Sequence, residues 1–144
     1  MTQPRVGYAS GVFDMFHIGH LNVLKRASER CDYLVAGVAT DDYVLDLKGA
    51  TPVVPYEERA MIVAELRCVA EVVPDVSLDK TVAWRARTFD VIFKGDDWRD
   101  TLKGEELERT MGELGVDVVY LPYTQRTSST LLRSYLDAAI GSRT

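Results

Sequence analysis

Apolar runs of five to seven residues alternate with stretches of helical spacing along nearly the whole chain. Val6–Val12 reads as a short buried strand that runs into a glycine. His17–Arg30 carries Leu21, Leu24 and Ala27 at three-residue intervals and reads as a helix. Tyr33–Ala39 is a second buried strand. Asp41–Val54 shows neither period, holds Lys48-Gly49 and Pro52, and reads as irregular. A helix is predicted over Tyr56–Arg67, with Met61, Ile62, Ala64 and Leu66 on its apolar side. Val69–Val73 is a third strand, ended by Pro74. A short helix over Thr81–Thr88 leads to a fourth strand, Asp90–Lys94. Lys103–Leu114 is helical and stops at Gly115, a natural residue just past a helix end. Asp117–Leu121 is a fifth strand and Ser128–Ile140 a last helix.

Strands that alternate with helices imply βαβ units. The expected fold is α/β: a single domain over residues 1–144, with a Rossmann-like, doubly wound, mainly parallel five-stranded sheet and helices on both faces. Such sheets bind ligands outside the carboxyl ends of their strands. Four polar clusters fall at those ends: Gly11–His20, Thr40–Lys48, Lys94–Trp98 and Tyr123–Thr130.

Composition narrows the function classes. The chain has 144 residues, 47% hydrophobic and 27% charged, ordinary for a globular protein. A net charge of −5 argues against a nucleic-acid partner and supplies no basic membrane patch. Neither a signal-peptide apolar core nor an apolar span of membrane length is present. Cys31 and Cys68 show no metal or redox spacing. A cytoplasmic protein with reduced thiols is expected.

The chemistry concentrates in Gly11-Val12-Phe13-Asp14-Met15-Phe16-His17-Ile18-Gly19-His20, which holds both histidines of the protein. If His17 opens a helix, His17 and His20 share a face. A helix start presents free N–H groups and partial positive charge, which suits a phosphate chain. Gly19 permits close approach of a ligand. Two unrelated histidines, or a metal pair, are the competing readings; a closed zinc site needs three or four ligands. Lys48 and Lys80 are either exposed lysines or flexible cations for a phosphate. Arg59 and Arg67 share the predicted helix, as a solvated face or as phosphate-binding forks. In Lys94-Gly95-Asp96-Asp97-Trp98, which ends a buried strand, the carboxylates suit magnesium, a ribose or a helix cap, and Trp98 suits stacking or core packing. Arg126-Thr127-Ser128-Ser129-Thr130 precedes the last helix, as a cap or as a second phosphate cradle.

Together these segments, with Tyr56-Glu57-Glu58-Arg59 and Arg67-Cys68-Val69-Ala70-Glu71, resemble the small cytidylyltransferases of the HxGH nucleotidyltransferase superfamily. The likeness runs in order over nearly the whole chain and is greatest to the glycerol-3-phosphate branch. It implies transfer of CMP from CTP to a small phosphorylated alcohol, with magnesium accompanying CTP and no separate protein-held metal. An adenylyltransferase acting on a sugar phosphate and a non-catalytic nucleotide sensor are the alternatives. By resemblance, His17, His20, Lys48 and Arg126 are catalytic. Gly11, Val12, Phe13, Asp14, Gly19, Gly95, Asp96, Arg126, Thr127, Ser128, Ser129 and Thr130 join the histidines around the nucleotide. Lys48, Arg59, Arg67, Lys80, Asp97 and Trp98 face the acceptor, and a homodimer is expected. The chain departs from the branch at Val12, where Thr is frequent, and at Tyr123–Thr127, which replaces its usual Arg-Thr-Glu-Gly-Ile.

Overall fold

A computed structural model describes residues 3–122 and 128–141. Its centre is a parallel sheet of β1 (Val6–Gly11), β2 (Tyr33–Ala39), β3 (Glu71–Asp75), β4 (Val91–Gly95) and β5 (Asp117–Leu121). Their order is β3-β2-β1-β4-β5, with every neighbouring pair parallel. The helices are α1 (Ile18–Ser28), α2 (Asp41–Lys48), α3 (Tyr56–Ala64), α4 (Lys80–Ala86), α5 (Leu102–Glu113) and α6 (Ser129–Gly141), with a 3₁₀ turn at Asp96–Trp98. The doubly wound α/β expectation therefore holds. Among the described residues no helix is long and apolar enough to cross a membrane.

The strands are apolar on both faces because helices cover both. Ala9, Leu34, Ala36, Val38, Val91 and Phe93 pack with Leu24 and Ala27 of α1 and Val63 of α3. Their strand neighbours Tyr8, Val35 and Ile92 take the opposite face, against Leu107 and Met111 of α5. The side-chain period of two sorts the residues into these two cores. Gly37 is needed here: a Cβ at this position would collide with the Tyr8 hydroxyl. That hydroxyl instead crosses beneath β2 and donates to Asp75 Oδ1 at 2.8 Å.

Three local expectations are corrected. Residues 41–48 form a helix rather than an irregular loop. Thr40 Oγ1 accepts from the Tyr43 amide at 3.3 Å, Asp41 and Asp42 occupy the first turn, and Gly49 closes it at φ 78°. This combination starts a helix through its cap and acidic first turn and stops it with a left-handed glycine. The α3 helix ends at Ala64, so Arg67 lies beyond it; the Leu66 and Val69 amides turn back to the Val63 and Leu66 carbonyls. Strand β3 continues through Pro74, which an edge strand tolerates.

The carboxyl ends of β1 and β4 lie side by side at the centre of the sheet, where the strand order reverses. A doubly wound sheet opens its ligand crevice at this switch point.

Candidate active site

The turn after β1 builds the centre of the crevice. Phe13 and Met15 take left-handed backbone conformations, at φ 55° and 48°, which bend the chain sharply into α1. His17 is the N-cap of that helix. Its Nδ1 accepts from the Gly19 amide at 3.1 Å, and its own amide donates to His20 Nδ1 at 3.2 Å. The two imidazoles thus form a reciprocal capping box, usually the work of Ser/Thr and Glu. Their rings lie 4.0 Å apart, and Phe13 meets His20 edge-on at 5.6 Å.

This geometry sets the protonation. Burial lowers the pKa of His17, and burial followed by the nearby His17 takes His20 down to about 4. Both rings are neutral at pH 7. Because both Nδ1 atoms accept, both protons sit on Nε2. His17 Nε2 is shielded from solvent and has no hydrogen-bond partner. A shielded, unpartnered donor at a helix start suits an acceptor atom such as a phosphate oxygen.

Asp14 holds the turn in place. It is 1% exposed and accepts from the Val53 and Val54 amides at 2.8 and 2.9 Å and from Arg133 at 3.0 Å. Burial pushes its carboxyl up, but the two amides and the guanidinium outweigh this and hold it below the usual range. Its carbonyl accepts from Ser129 Oγ at 2.6 Å. Asp14 therefore joins the β1 turn, the segment before α3 and the start of α6.

Two adjoining cavities open at this edge. The larger, about 400 Å³, is lined by Gly11, Val12, Phe13, Asp14, His17, Gly19 and His20 on one side. Lys48, Lys94, Gly95, Asp97, Trp98, Ser128, Ser129, Thr130 and Arg133 line the other. The smaller, about 190 Å³, lies over the ends of β2 and β3, against Ala39, Tyr43, Asp75 and Lys80. Lys48, Lys94 and Trp98 border both cavities.

Several assignments change. Arg59 is 1% exposed and does not reach for a ligand. Its Nε donates to the Val54 carbonyl at 2.8 Å, and one terminal nitrogen donates to the Val12 and Ala39 carbonyls at 2.6 and 2.8 Å. The other pairs with Asp41 at 2.7 Å. The guanidinium is consumed as a clamp on the strand ends. Lys80 borders the smaller cavity, but its ammonium is held by Asp75 Oδ2 and the Ser77 carbonyl, both at 2.7 Å. Its charge is already balanced. Arg67 is exposed and precedes β3, at the amino end of the sheet, opposite the crevice. Asp96 is exposed and borders neither cavity. Arg126 and Thr127 lie outside the described residues.

Two charged residues of the larger cavity, Arg133 and Lys94, are given no role of their own by the sequence. Arg133 stands one helical turn after Ser129, a spacing that marks one face. Lys94 heads the polar cluster at the end of β4, but its place at the close of an apolar run gives no sign of a separate role. No group of three or more metal-ligating side chains occurs among the described residues. Magnesium would have to be held mainly by the phosphates of a ligand.

A parallel sheet, a phosphate-suited helix start at its switch point and two joined cavities define a nucleotide-handling α/β protein. Residues 8–135 match the cytidylyltransferase-like family, and the chain belongs to that family of nucleotidyltransferases. It is 35% identical over 127 residues to the glycerol-3-phosphate cytidylyltransferase of Bacillus subtilis, covering 85% of this chain and 90% of that protein. It is 38% identical over 136 residues to the bifunctional protein HldE of Acidiphilium cryptum, covering 90% of this chain but 27% of that protein. The chain thus spans about a quarter of the length of HldE. The lipopolysaccharide core biosynthesis protein of Thermoplasma volcanium shares the fold at a TM-score of 0.71 and 25% identity, over 87% of this chain and all of that one.

Proposed function

We propose that the protein transfers a nucleotidyl group, CMP from CTP, to a small phosphorylated alcohol and releases pyrophosphate. The observation that carries this reading is the pair of neutral imidazoles whose Nδ1 atoms cap the helix, which leaves the shielded Nε2–H of His17 without a partner. An acceptor phosphate oxygen forms a bond to the α-phosphorus. The bond from that phosphorus to the oxygen bridging to the β-phosphorus breaks, and its electron pair leaves with pyrophosphate. No covalent enzyme intermediate is required. The protein's part is positioning and stabilisation of charge on the phosphoryl oxygens.

The triphosphate fits the larger cavity, between His17, His20 and the Ser129–Thr130 end of α6. The acceptor fits the smaller one, with Lys48 reaching both. Magnesium enters with the nucleotide. The glycerol-3-phosphate cytidylyltransferase relative, matched over most of its length, supports CTP and a compact acceptor. A second reading, adenylyl transfer, is favoured by the FAD synthase of Pyrococcus horikoshii, 38% identical over 119 residues, 78% of this chain and 77% of that one.

Pyrophosphate release, measured with CTP or ATP and magnesium against glycerol 3-phosphate and a panel of sugar phosphates, tests both. Turnover with CTP and glycerol 3-phosphate is expected. Turnover with ATP alone would replace the cytidylyl reading, and turnover only with a sugar phosphate would replace the acceptor.

A further inference from the structure

Two lysines, Lys80 at the start of α4 and Lys94 at the end of β4, come close to the meeting point of the cavities, and their surroundings differ. Lys80 is 4% exposed and is neutralised by Asp75, whose other oxygen accepts from Tyr8. Lys94 sits at the end of β4 and borders both cavities. Among the described residues its ammonium has no hydrogen-bond acceptor and no carboxylate within ion-pair distance. It lies 3.9 Å above the Trp98 ring, whose other cationic neighbour, Lys103, stands 5.8 Å away. A largely enclosed ammonium held by an indole face is fixed in place without being neutralised. Its charge remains open to an anion that enters either cavity.

We propose that Lys94 is a catalytic residue that binds the non-bridging oxygens of the phosphates at the seam of the cavities, where acceptor oxygen and α-phosphorus meet. This rests on the nucleotidyl-transfer reading and adds a second cation to Lys48 there. The groups facing Lys94 support it. Lys80 and Lys103 repel its charge, while Asp75 and Asp97 attract it. Burial is the largest influence, and the ammonium titrates at about 8 in the free protein. An anionic ligand favours the charged form, so binding near pH 8 draws in a proton. His17 and His20 titrate below their usual range and do not contribute at that pH.

The test uses K94M, which keeps an unbranched side chain of similar length without the charge, and K94R, which restores a cation. K94M is expected to lose on the order of a hundredfold in kcat, as for removal of one preorganised donor, with K94R recovering part of it. Calorimetric titration of the wild type with CTP and magnesium at pH 8, in buffers of different ionisation enthalpy, should show uptake of about half a proton. K94M should show none. A K94M kcat within about threefold of wild type, or undiminished proton uptake in K94M, overturns the role of Lys94 while leaving the transfer reading standing. If K94M does not fold, K94Q decides, and a K94Q kcat within about threefold of wild type overturns the proposal. Wild-type protein that releases no pyrophosphate from CTP or ATP with any acceptor overturns the transfer reading itself, and the role of Lys94 with it.

Discussion

Arg59→Met isolates the clamp at the strand ends. The substitution removes four hydrogen bonds and leaves three carbonyls and one carboxylate behind. They are not equivalent. The Ala39 carbonyl lies deep, and orphaning it costs about 1–3 kcal/mol. Val12 and Val54 are half-buried, so water can replace part of what they lose, about 1 kcal/mol each. Asp41 is 37% exposed, and solvent screening limits its contribution to under about 1 kcal/mol. The methionine regains some apolar packing. A net loss of about 4 kcal/mol is consistent with breaking a buried charged contact from one side. For a chain of this length that lowers Tm by roughly 8–16 °C. Thermal unfolding followed by far-UV circular dichroism measures it. If Arg59 held substrate instead, R59M would retain its Tm and raise KM for the acceptor. A Tm within about 2 °C of wild type would refute the clamp.

His17→Ala and His20→Ala should each lower kcat by on the order of a hundredfold with the sheet intact, and turnover near wild type in either would remove them from the chemistry. Each also loses half of the capping box, so a stability loss of about 1 kcal/mol is expected in urea titrations. Acid stability follows from His20. Its folded pKa of about 4 lies below the unfolded 6.5, so the unfolded chain binds the extra proton between these values. The stabilisation is complete above pH 6.5 and is lost as pH falls towards 4. His20→Asn should flatten that part of the stability–pH curve, and an unchanged slope would contradict the depressed pKa.

The strands were legible because each is a compact apolar run between polar turns, and their alternation with helices carries the topology. The helix over 41–48 was hidden because one buried residue, Val44, anchors it; its signals are the Thr40 cap and the Lys48-Gly49 end rather than an apolar stripe. The overlong third helix arose from Leu66, which continues the apolar period into the turn that follows. The histidine pair was legible because its chemistry depends on local spacing. The cations were not. Arg59, Lys80 and Lys94 differ in what the fold places around them, and those partners lie up to 47 positions away in sequence. A residue type announces a charge, but only tertiary contacts tell whether that charge is already balanced.

The Asp14 knot has a consequence for the order in which this molecule becomes competent during synthesis. The fifth strand ends at Leu121, so a growing chain has emitted the whole sheet before Ser129 and Arg133 exist. Until those two residues arrive, the Asp14 turn lacks two of its four hydrogen bonds. The histidine cap can be in place while the turn beneath it is only half secured. Completion of the site is thereby tied to completion of the chain through α6. A polypeptide truncated after β5 would retain every strand of the sheet and lose both contacts of α6 to the Asp14 turn, which separates formation of the sheet from completion of the crevice beside it.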